Sequence, residues 1–174
     1  MNSIPVDIEG QSGRVCQILL ADDDSDDCLF FGIALKELFI NAKLTCVHDG
    51  EKLMKYLHEN ELPDIVYLDL NMPRKNGLEC LKEIRLDMRL RSLPVIAIST
   101  SSSVVTRKQL LENGALHFIR KPNIFSELKE AIVYSLSLLT EGSRHCLPKS
   151  PPPHITIIVY PNNFYESRFS KPQG

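Results

Sequence analysis

An α/β fold built from repeated strand–helix units is predicted for this 174-residue chain, and three observations predict it. Short apolar segments alternate five times with segments whose apolar residues recur at helical spacing. Three of the strand-like segments are apolar nearly throughout, as expected of strands covered on both faces in a parallel sheet. The connections between segments are short, which favours a doubly wound sheet with helices on both faces.

Five strands and five helices are predicted in alternation along the chain. The strands are Gln17–Ala21, Leu44–His48, Ile65–Asp69, Val95–Thr100 and Leu116–Lys121. The helices are Ser25–Phe39, Gly50–Asn60, Gly77–Arg89, Val104–Asn113 and Phe125–Leu139. Turn and cap residues agree with these bounds: Ser25 can cap the first helix, Pro94 precedes the fourth strand, and Gly114 follows the fourth helix where a left-handed residue is favoured.

The composition is that of an ordinary globular chain, with 43% hydrophobic and 24% charged residues. A net charge of −2 and the lack of a basic stripe argue against nucleic-acid binding. Residues 1–13 do not resemble a signal peptide, and no apolar run approaches the ~20 residues of a membrane span. The cytoplasm is therefore the expected location, without a membrane partner.

The five cysteines predict buried thiols. Their number is odd, they form no CxxC pair, and most lie within apolar patterns. A reduced chain with small buried side chains is the favoured interpretation. The spacing also lacks the Cys/His pattern typical of a zinc site. The cysteines are Cys16, Cys28, Cys46, Cys80 and Cys146.

The regions outside the alternating pattern differ from it. Residues 1–14 are interpreted as an N-terminal extension and 15–142 as one domain. Residues 143–174 hold six of the eleven prolines and are interpreted as a C-terminal extension that begins with a linker. Within it, Ile155–Tyr160 is strongly strand-like, and we expect this segment to pair with a sheet edge in its own or a neighbouring subunit.

Polar residues follow three of the predicted strands directly. The first strand runs into the acidic cluster that begins Asp22-Asp23, the third ends at Asp69, and the fifth ends at Lys121. Because loops at the carboxyl ends of parallel strands converge on one edge of the sheet, we expect these side chains to share one pocket.

The residue types in this pocket suit phosphoryl transfer. Carboxylates from Asp22, Asp23 and Asp69 would form a partial cage for Mg²⁺, which prefers oxygen ligands. A carboxylate can also act as a nucleophile toward a phosphoryl group whose charge a metal neutralises. Lys121 supplies a positive charge, and Ser99 or Thr100 at the fourth strand end supplies a hydroxyl group.

These motifs resemble the receiver domain of two-component response regulators, and in particular its single-domain, chemotaxis-regulator-like members. The resemblance covers about residues 15–142. It depends on the acidic pair after the first strand, on the run Leu68-Asp69-Leu70-Asn71-Met72-Pro73, on Ile98-Ser99-Thr100, and on Lys121-Pro122. It implies a flavodoxin-like (βα)5 sandwich with a five-stranded parallel sheet in the order 2-1-3-4-5.

The resemblance also implies a role for each residue. Asp69 would accept a phosphoryl group from the phosphohistidine of a sensor histidine kinase. Asp23 and Asp69 would bind Mg²⁺ directly, Asp22 through water, and Asn71 through its backbone carbonyl. Ser99 would move to bond the phosphoryl group and Lys121 would contact it. A cis Lys121–Pro122 peptide bond is also allowed by this resemblance.

Two positions depart from the family pattern. Ser99 stands where threonine is commoner, so the hydroxyl is kept but the methyl group that restricts its rotamer is lost. Phe118 stands where the family often has tyrosine in the aromatic switch position, so this ring lacks a hydroxyl group. The predicted switch formed by Ser99 and Phe118 therefore depends on packing at its aromatic member.

The predicted function is that of a stand-alone response regulator, a phosphoprotein that catalyses its own phosphorylation and dephosphorylation but serves chiefly as a switch. Its output would pass through protein contact to a downstream protein, because residues 143–174 are too few and too proline-rich for an output domain. Alternatives are a phosphorelay intermediate or phosphate sink that passes phosphate to a histidine phosphotransfer domain, and a receiver-like module that binds partners constitutively. A phosphohydrolase is disfavoured because Asn71 stands where such enzymes need a second acid. The oligomeric state is left open, with a homodimer among the options.

Overall fold

The computed structural model describes residues 3–5, 14–101, 103–139 and 145–147, and within them it forms six strands and five helices. The strands are β1 (Ser3–Pro5), β2 (Cys16–Ala21), β3 (Ala42–Val47), β4 (Ile65–Asp69), β5 (Val95–Ser99) and β6 (His117–Arg120). The helices are α1 (Ser25–Glu37), α2 (Gly50–Glu59), α3 (Gly77–Leu86), α4 (Val104–Glu112) and α5 (Phe125–Ser137).

The parallel sheet has the predicted topology. Strands β2 to β6 are parallel and lie in the spatial order β3-β2-β4-β5-β6, which is the order 2-1-3-4-5 in the numbering of the predicted strands. The reversal of direction at β2 places α1 and α5 on one face and α2, α3 and α4 on the other. The prediction of a doubly wound flavodoxin-like fold is confirmed.

One strand was not predicted. Strand β1 pairs antiparallel with β3, with Ser3 opposite Thr45 and Pro5 opposite Lys43, and so extends the sheet by one edge strand. A segment of three residues is too short to show the alternation by which strands are recognised. Proline also argues against a strand in general, although it is tolerated at an edge.

Helix ends are the least accurate part of the prediction. Each helix ends one to three residues before its predicted bound, and the largest difference is in α3, which ends at Leu86 instead of Arg89. Met88, which was counted in the helical pattern, is 82% exposed. The first helix is capped by Asp24, whose side chain accepts the N–H of Asp26, and Ser25 is its first helical residue.

Two hydrophobic cores lie on the two faces of the sheet. Ile18 and Leu20 of β2 face α1 and α5, whereas Leu19 and Ala21 face α2, α3 and α4. Tyr67 of β4 is fully buried on the first face, where its ring packs edge-on against Phe31 and its hydroxyl lies 2.7 Å from the hydroxyl of Ser135. These contacts join the central strand to α1 and to α5.

The prediction that the cysteines are reduced is wrong for two of them. Cys16 at the start of β2 forms a disulfide with Cys146, across a separation of 130 residues. Cys28, Cys46 and Cys80 are free and buried, as predicted. Spacing along the sequence carries no information about a pair this far apart, because only the folded sheet brings the two residues together.

The predicted strand Ile155–Tyr160 lies outside the described residues. Among the helices of the described part, none has the length and apolar character needed to span a membrane.

The carboxyl ends of β2, β4, β5 and β6 meet at one edge, with Asp69 opposite Ile98 and Ser99 opposite Arg120. Gly77 holds α3 close to this edge. A Cβ atom on Gly77 would lie 2.3 Å from the carbonyl oxygen of Asp69, and the N–H of Gly77 donates to the carbonyl of Leu70 at 3.0 Å. The glycine therefore permits the loop after Asp69 to pack directly against the start of α3.

We expect Gly77→Ala to lower the free energy of unfolding by on the order of 1–3 kcal/mol, because the added methyl group overlaps backbone atoms that cannot move independently. Gly32→Ala is the matched control. Its Cβ atom would lie 3.6 Å from the side chain of Leu44, an ordinary contact, within the interior of α1. It should raise stability by roughly 0.5–1 kcal/mol. Urea denaturation of both variants checks the opposite signs, and equal effects would contradict the steric role of Gly77.

Candidate functional site

Three carboxylates and one ammonium group meet at the carboxyl edge of the sheet. Asp22 follows β2 directly, Asp69 ends β4, and Lys121 follows β6. Oxygen atoms of Asp22, Asp23 and Asp69 all lie within 4.8 Å of one another. Asp22 and Asp69 are 2% and 3% exposed, whereas Asp23 is open to solvent. The sequence placed these residues at strand ends, and the fold brings them into one pocket.

The ammonium group of Lys121 lies among three acids from three elements. Its Nζ is 2.8 Å from Oδ2 of Asp22, 2.8 Å from Oδ2 of Asp27 and 3.5 Å from Oδ2 of Asp69. The backbone also fixes this residue, since the N–H of Lys121 donates to the carbonyl of Ser99 at 2.8 Å. One cation thus balances part of the negative charge of the pocket.

Backbone N–H groups fix the orientation of the Asp69 carboxylate. Its Oδ1 accepts the N–H of Leu70 at 2.8 Å, and the N–H of Asn71 also donates to this carboxylate. Its Oδ2 faces Lys121. The carboxylate is therefore held in one position with one oxygen directed into the acidic pocket.

The loop after β4 is anchored to the start of α2. Arg74, whose φ of 65° is left-handed, forms an ion pair with the fully buried Asp49, which caps α2 by accepting the N–H of Lys52 at 2.8 Å. Gly50 lies so close to the loop that a Cβ atom would be 2.1 Å from the carbonyl oxygen of Lys75. These contacts restrict the loop that carries Asn71.

Burial sets the electrostatics of the acids. It raises the pKa of Asp22 to about 6, against the opposing effect of the ion pair with Lys121. Burial also raises the pKa of Asp69, although Lys121 and the N–H groups of Asn71 and Leu70 act in the opposite direction. For Lys121, burial acts to lower the pKa, but the bonds to Asp22 and Asp27 outweigh it and the pKa is raised. Lys121 therefore stays charged. Its single positive charge does not offset the burial of Asp22 and Asp69, whose pKa values remain raised.

The donor set fits a hard divalent cation. Asp22, Asp23 and Asp69 offer three carboxylate oxygens, the ligand type that Mg²⁺ and Mn²⁺ prefer. Among the described residues no sulfur or imidazole ligand belongs to this cluster. Solvent exposure of Asp23 leaves room for the water ligands that Mg²⁺ usually keeps. The raised pKa values of the two buried acids also indicate a site that would be stabilised by added positive charge.

Ser99 and Phe118 lie on one face of the sheet beside this pocket. Ser99 ends β5, is 1% exposed, and its hydroxyl oxygen accepts the N–H of Ser101 at 3.2 Å. Phe118 is half-buried and packs against the core between the sheet and α2, α3 and α4. Thr100, the alternative hydroxyl, is exposed. The geometry therefore favours Ser99 over Thr100 as the hydroxyl nearest the strand-end pocket.

Two contacts of the pocket were not predicted. Asp27 is not among the predicted site residues, yet it pairs with Lys121 from the first turn of α1. His48 is not among them either, yet a ring nitrogen lies 3.0 Å from the carbonyl oxygen of Asp22. Asp27 lies in the first turn of the helix that follows the acidic pair, and this closeness along the chain could have indicated a shared pocket. The peptide bond between Lys121 and Pro122 is trans, so the suggestion of a cis bond is wrong.

Comparisons with known proteins agree with this architecture. The family model described as the response regulator receiver domain matches residues 18–133. The probable methanogenesis regulatory protein FilR2 of Methanothrix harundinacea is 30% identical over 120 residues, which cover 66% of this chain and 77% of that protein.

Solved structures extend the comparison. The Mn²⁺-bound response regulator Rcp1 aligns with a TM-score of 0.62 at 27% identity, over 67% of this chain and 88% of that one. Rcp1 is a protein of Synechocystis. The phosphorylated cyanobacterial phytochrome response regulator RcpA aligns with a TM-score of 0.64 at 29% identity, over 68% and 89% of the two chains. In seven further curated relatives the match spans only 22–61% of their length.

We expect Asp22→Asn to stabilise the fold in the presence of a chelator. An acid whose pKa rises on folding favours the folded state below its ordinary pKa and loses that contribution as the pH rises through the folded value. The stability gain of the variant over the wild type should therefore grow as the pH rises from about 4 to about 6, and reach on the order of 1–3 kcal/mol.

Thermal unfolding across this pH range measures the effect, at roughly 2–4 °C per kcal/mol for a chain of this size. Asp26→Asn is the control, because Asp26 lies in the first turn of the same helix but is exposed to solvent. A gain for Asp26→Asn as large as that for Asp22→Asn would contradict the assignment of the effect to buried charge.

Proposed function

We propose that this chain, which belongs to the response regulator receiver domain family, accepts a phosphoryl group from a histidine kinase onto Asp69 and signals by protein contact. The observation that carries the proposal is the arrangement of Asp69, two further carboxylates and Lys121 at one edge of the sheet. The Asp69 carboxylate accepts two N–H groups of its own loop, from Leu70 and Asn71. The Asp22 carboxylate accepts one, from Asp24. The tighter restraint of Asp69 favours its use as the acceptor.

The reaction is a transfer between two nucleophiles. The bond from an Asp69 oxygen to phosphorus forms as the bond from phosphorus to the histidine nitrogen of the donor breaks, and an acyl phosphate results. Such a step depends mainly on positioning and on charge stabilisation. Mg²⁺ held by Asp23, Asp69 and the Asn71 carbonyl, with Asp22 through water, would supply positive charge for the phosphoryl oxygens.

Lys121 would supply the other positive charge. Its Nζ lies 3.5 Å from Oδ2 of Asp69, so a phosphoryl group on that side of the carboxylate would come within reach of the ammonium group. Asp22 and Asp27 hold this group in place before the reaction. Lys121 acts as a point charge, which suits a group that moves from a carboxylate to a phosphoryl oxygen.

The surface beside the pocket suits a docking protein that brings the phosphohistidine. A cavity of about 260 Å³ lies between α1 and the segment that follows Lys121. Phe30 of α1 and Ile124 line it, and they are 49% and 58% exposed. Exposed large apolar side chains next to a reactive carboxylate fit a transient protein interface. We assign this side to the kinase.

The output surface is proposed to be α4, because only one of its side chains is buried and the segment before it is hydrogen-bonded to Ser99. Among the residues of α4, all of which the structure describes, only Leu110 is buried, and Val104 is 79% exposed. A Ser99 hydroxyl that turns to donate to the phosphoryl group would give up its bond from the N–H of Ser101, in the segment that leads into α4. Phosphorylation would then bias two arrangements of this helix, and a partner would distinguish them by affinity.

The acceptor chemistry is tested by intact mass after incubation with acetyl phosphate. The wild type should gain one phosphoryl group in the presence of Mg²⁺ and none in the presence of a chelator. Asp69→Asn should gain none, whereas Asp26→Asn, with the same change of charge in an exposed helix turn, should behave as the wild type. A phosphoryl group on Asp69→Asn would place the acceptor elsewhere.

The output route is tested by hydrogen exchange of residues 104–112 with and without the phosphoryl mimic beryllofluoride. Exchange in wild-type α4 should change on binding, and Ser99→Ala should lose most of this change while still binding the mimic. Ser101→Ala is the matched control, because it removes a hydroxyl from the same segment but not the one proposed to move. Unchanged exchange in the wild type, despite bound mimic, would favour a module that binds its partners constitutively.

A further inference from the structure

A second cluster of ligand-type side chains lies at the opposite end of the sheet from Asp69. It joins Cys16, the first residue of β2, to Asp64, which immediately precedes β4, and to the segment His145-Cys146. One sulfur, carboxylate or imidazole atom from each of these four residues lies within 4.8 Å of all the others. The proposed receiver function uses none of them.

The geometry of the cluster is close and largely buried. The two cysteines form a disulfide and are fully buried, and the side chains of Asp64 and His145 are 7% and 16% exposed. Nε2 of His145 lies 3.2 Å from Oδ2 of Asp64 and 3.7 Å from Sγ of Cys146. Because His145 is the neighbour of Cys146, the disulfide also brings its imidazole beside the carboxylate of Asp64, so that four ligand-type groups meet at one point.

We infer that the reduced form of this cluster binds one Zn²⁺ ion through Cys16, Cys146, His145 and Asp64. Two thiolates, an imidazole and a carboxylate are ligands that Zn²⁺ takes in tetrahedral sites. Zinc–ligand distances of about 2.0–2.3 Å require separations of about 3.4–3.8 Å between ligand atoms. The separations of the His145 nitrogen from Asp64 and Cys146 already lie near this range. The Cα atoms of the cysteines, 4.9 Å apart, allow their sulfurs to separate by side-chain rotation.

Charge balance supports a divalent ion. Two thiolates and the Asp64 carboxylate would carry three negative charges, and Arg14, whose guanidinium lies 3.0 Å from Oδ1 of Asp64, carries one positive charge. One Zn²⁺ ion makes this group neutral. Without a metal, two buried thiolates would face the Asp64 carboxylate, and such unpaired buried charge is unfavourable.

Contacts outside the four ligands hold the carboxylate in position. Oδ2 of Asp64 accepts the backbone N–H of Gln17 at 2.8 Å, while Oδ1 is held by Arg14. Such surrounding bonds orient the ligands of metal sites. Since the four ligands come from positions 16, 64, 145 and 146, no spacing motif could reveal the site in the sequence.

The disulfide and the zinc form are related by a two-electron oxidation. A hydroperoxide would oxidise the two zinc-bound thiolates to the disulfide. Its O–O bond breaks, the sulfur–sulfur bond forms, two protons are taken up, and with hydrogen peroxide two water molecules and free Zn²⁺ are released. The metal site and the disulfide therefore exclude each other.

The test uses the full chain, reduced with a phosphine and freed of oxygen, in excess Mg²⁺. Zn²⁺ competition against a chromophoric chelator should give one tight site per chain. Co²⁺ in its place should give intense visible d–d bands and a thiolate-to-cobalt charge-transfer band. Hydrogen peroxide should release the metal and leave a chain lighter by two hydrogens than the reduced apo form, with no added oxygen.

Variants separate this site from other binding. Cys146→Ser and His145→Ala should each weaken Zn²⁺ binding by at least about tenfold. Cys80→Ser, a buried free cysteine elsewhere, and Asp69→Asn, in the other cluster, should leave it unchanged. If Cys146→Ser fails to fold, the partly exposed His145 provides the same comparison. The inference is overturned by reduced wild type that takes up no tight Zn²⁺, by Co²⁺ spectra without a thiolate band, or by binding that His145→Ala leaves intact.

Discussion

The ion pairs of Lys121 are the interaction on which the arrangement of this protein depends. A single ammonium group lies within 3.5 Å of carboxylates from the ends of β2 and β4 and from α1. Removing water from Asp22 and Asp69 is unfavourable, and this cation offsets it together with the backbone N–H groups that donate to the two carboxylates. The Lys121 ammonium group thus holds the carboxylates together at the sheet edge without neutralising all of them. The negative charge that remains makes this edge suitable for binding a cation.

The rest of the fold restrains the elements around this excess of negative charge. Below the pocket, Tyr67 fills the space between β4, α1 and α5, and its hydroxyl is satisfied by Ser135. Beside it, Arg74 and Asp49 attach the loop after β4 to α2. In contrast, Leu110 is the one buried residue of α4, a helix that the structure describes in full. A change of charge at Asp69 is therefore expected to displace the strands little and to move α4, the least restrained of these elements.

Much of the site could be predicted because strand ends carry a strong local signal. The apolar runs that stop at Asp22 and Asp69 place each acid at the end of a strand, and a parallel sheet brings these strand ends together. The pairing of Asp27 with Lys121 was not predicted, because an acid in the first turn of a helix is common without any such partner. The disulfide between Cys16 and Cys146 was missed for a related reason, since its 130-residue separation leaves no local pattern. The predicted helix ends lay too far along the chain where exposed apolar residues such as Met88 continued the helical spacing without packing against the core.

The added strand β1 has a consequence for self-association. An uncovered strand at the margin of a sheet is a template on which another chain can hydrogen-bond, a common route to aggregation. Residues 3–5 occupy that margin along residues 43–45 of β3, and Pro5, the last residue of β1, has no backbone N–H to donate. Within the described residues the sheet then has two edge strands, the three-residue β1 and β6, the shortest of the parallel strands. Because β1 is shorter still and contains a proline, β6 is the better template of the two for strand addition.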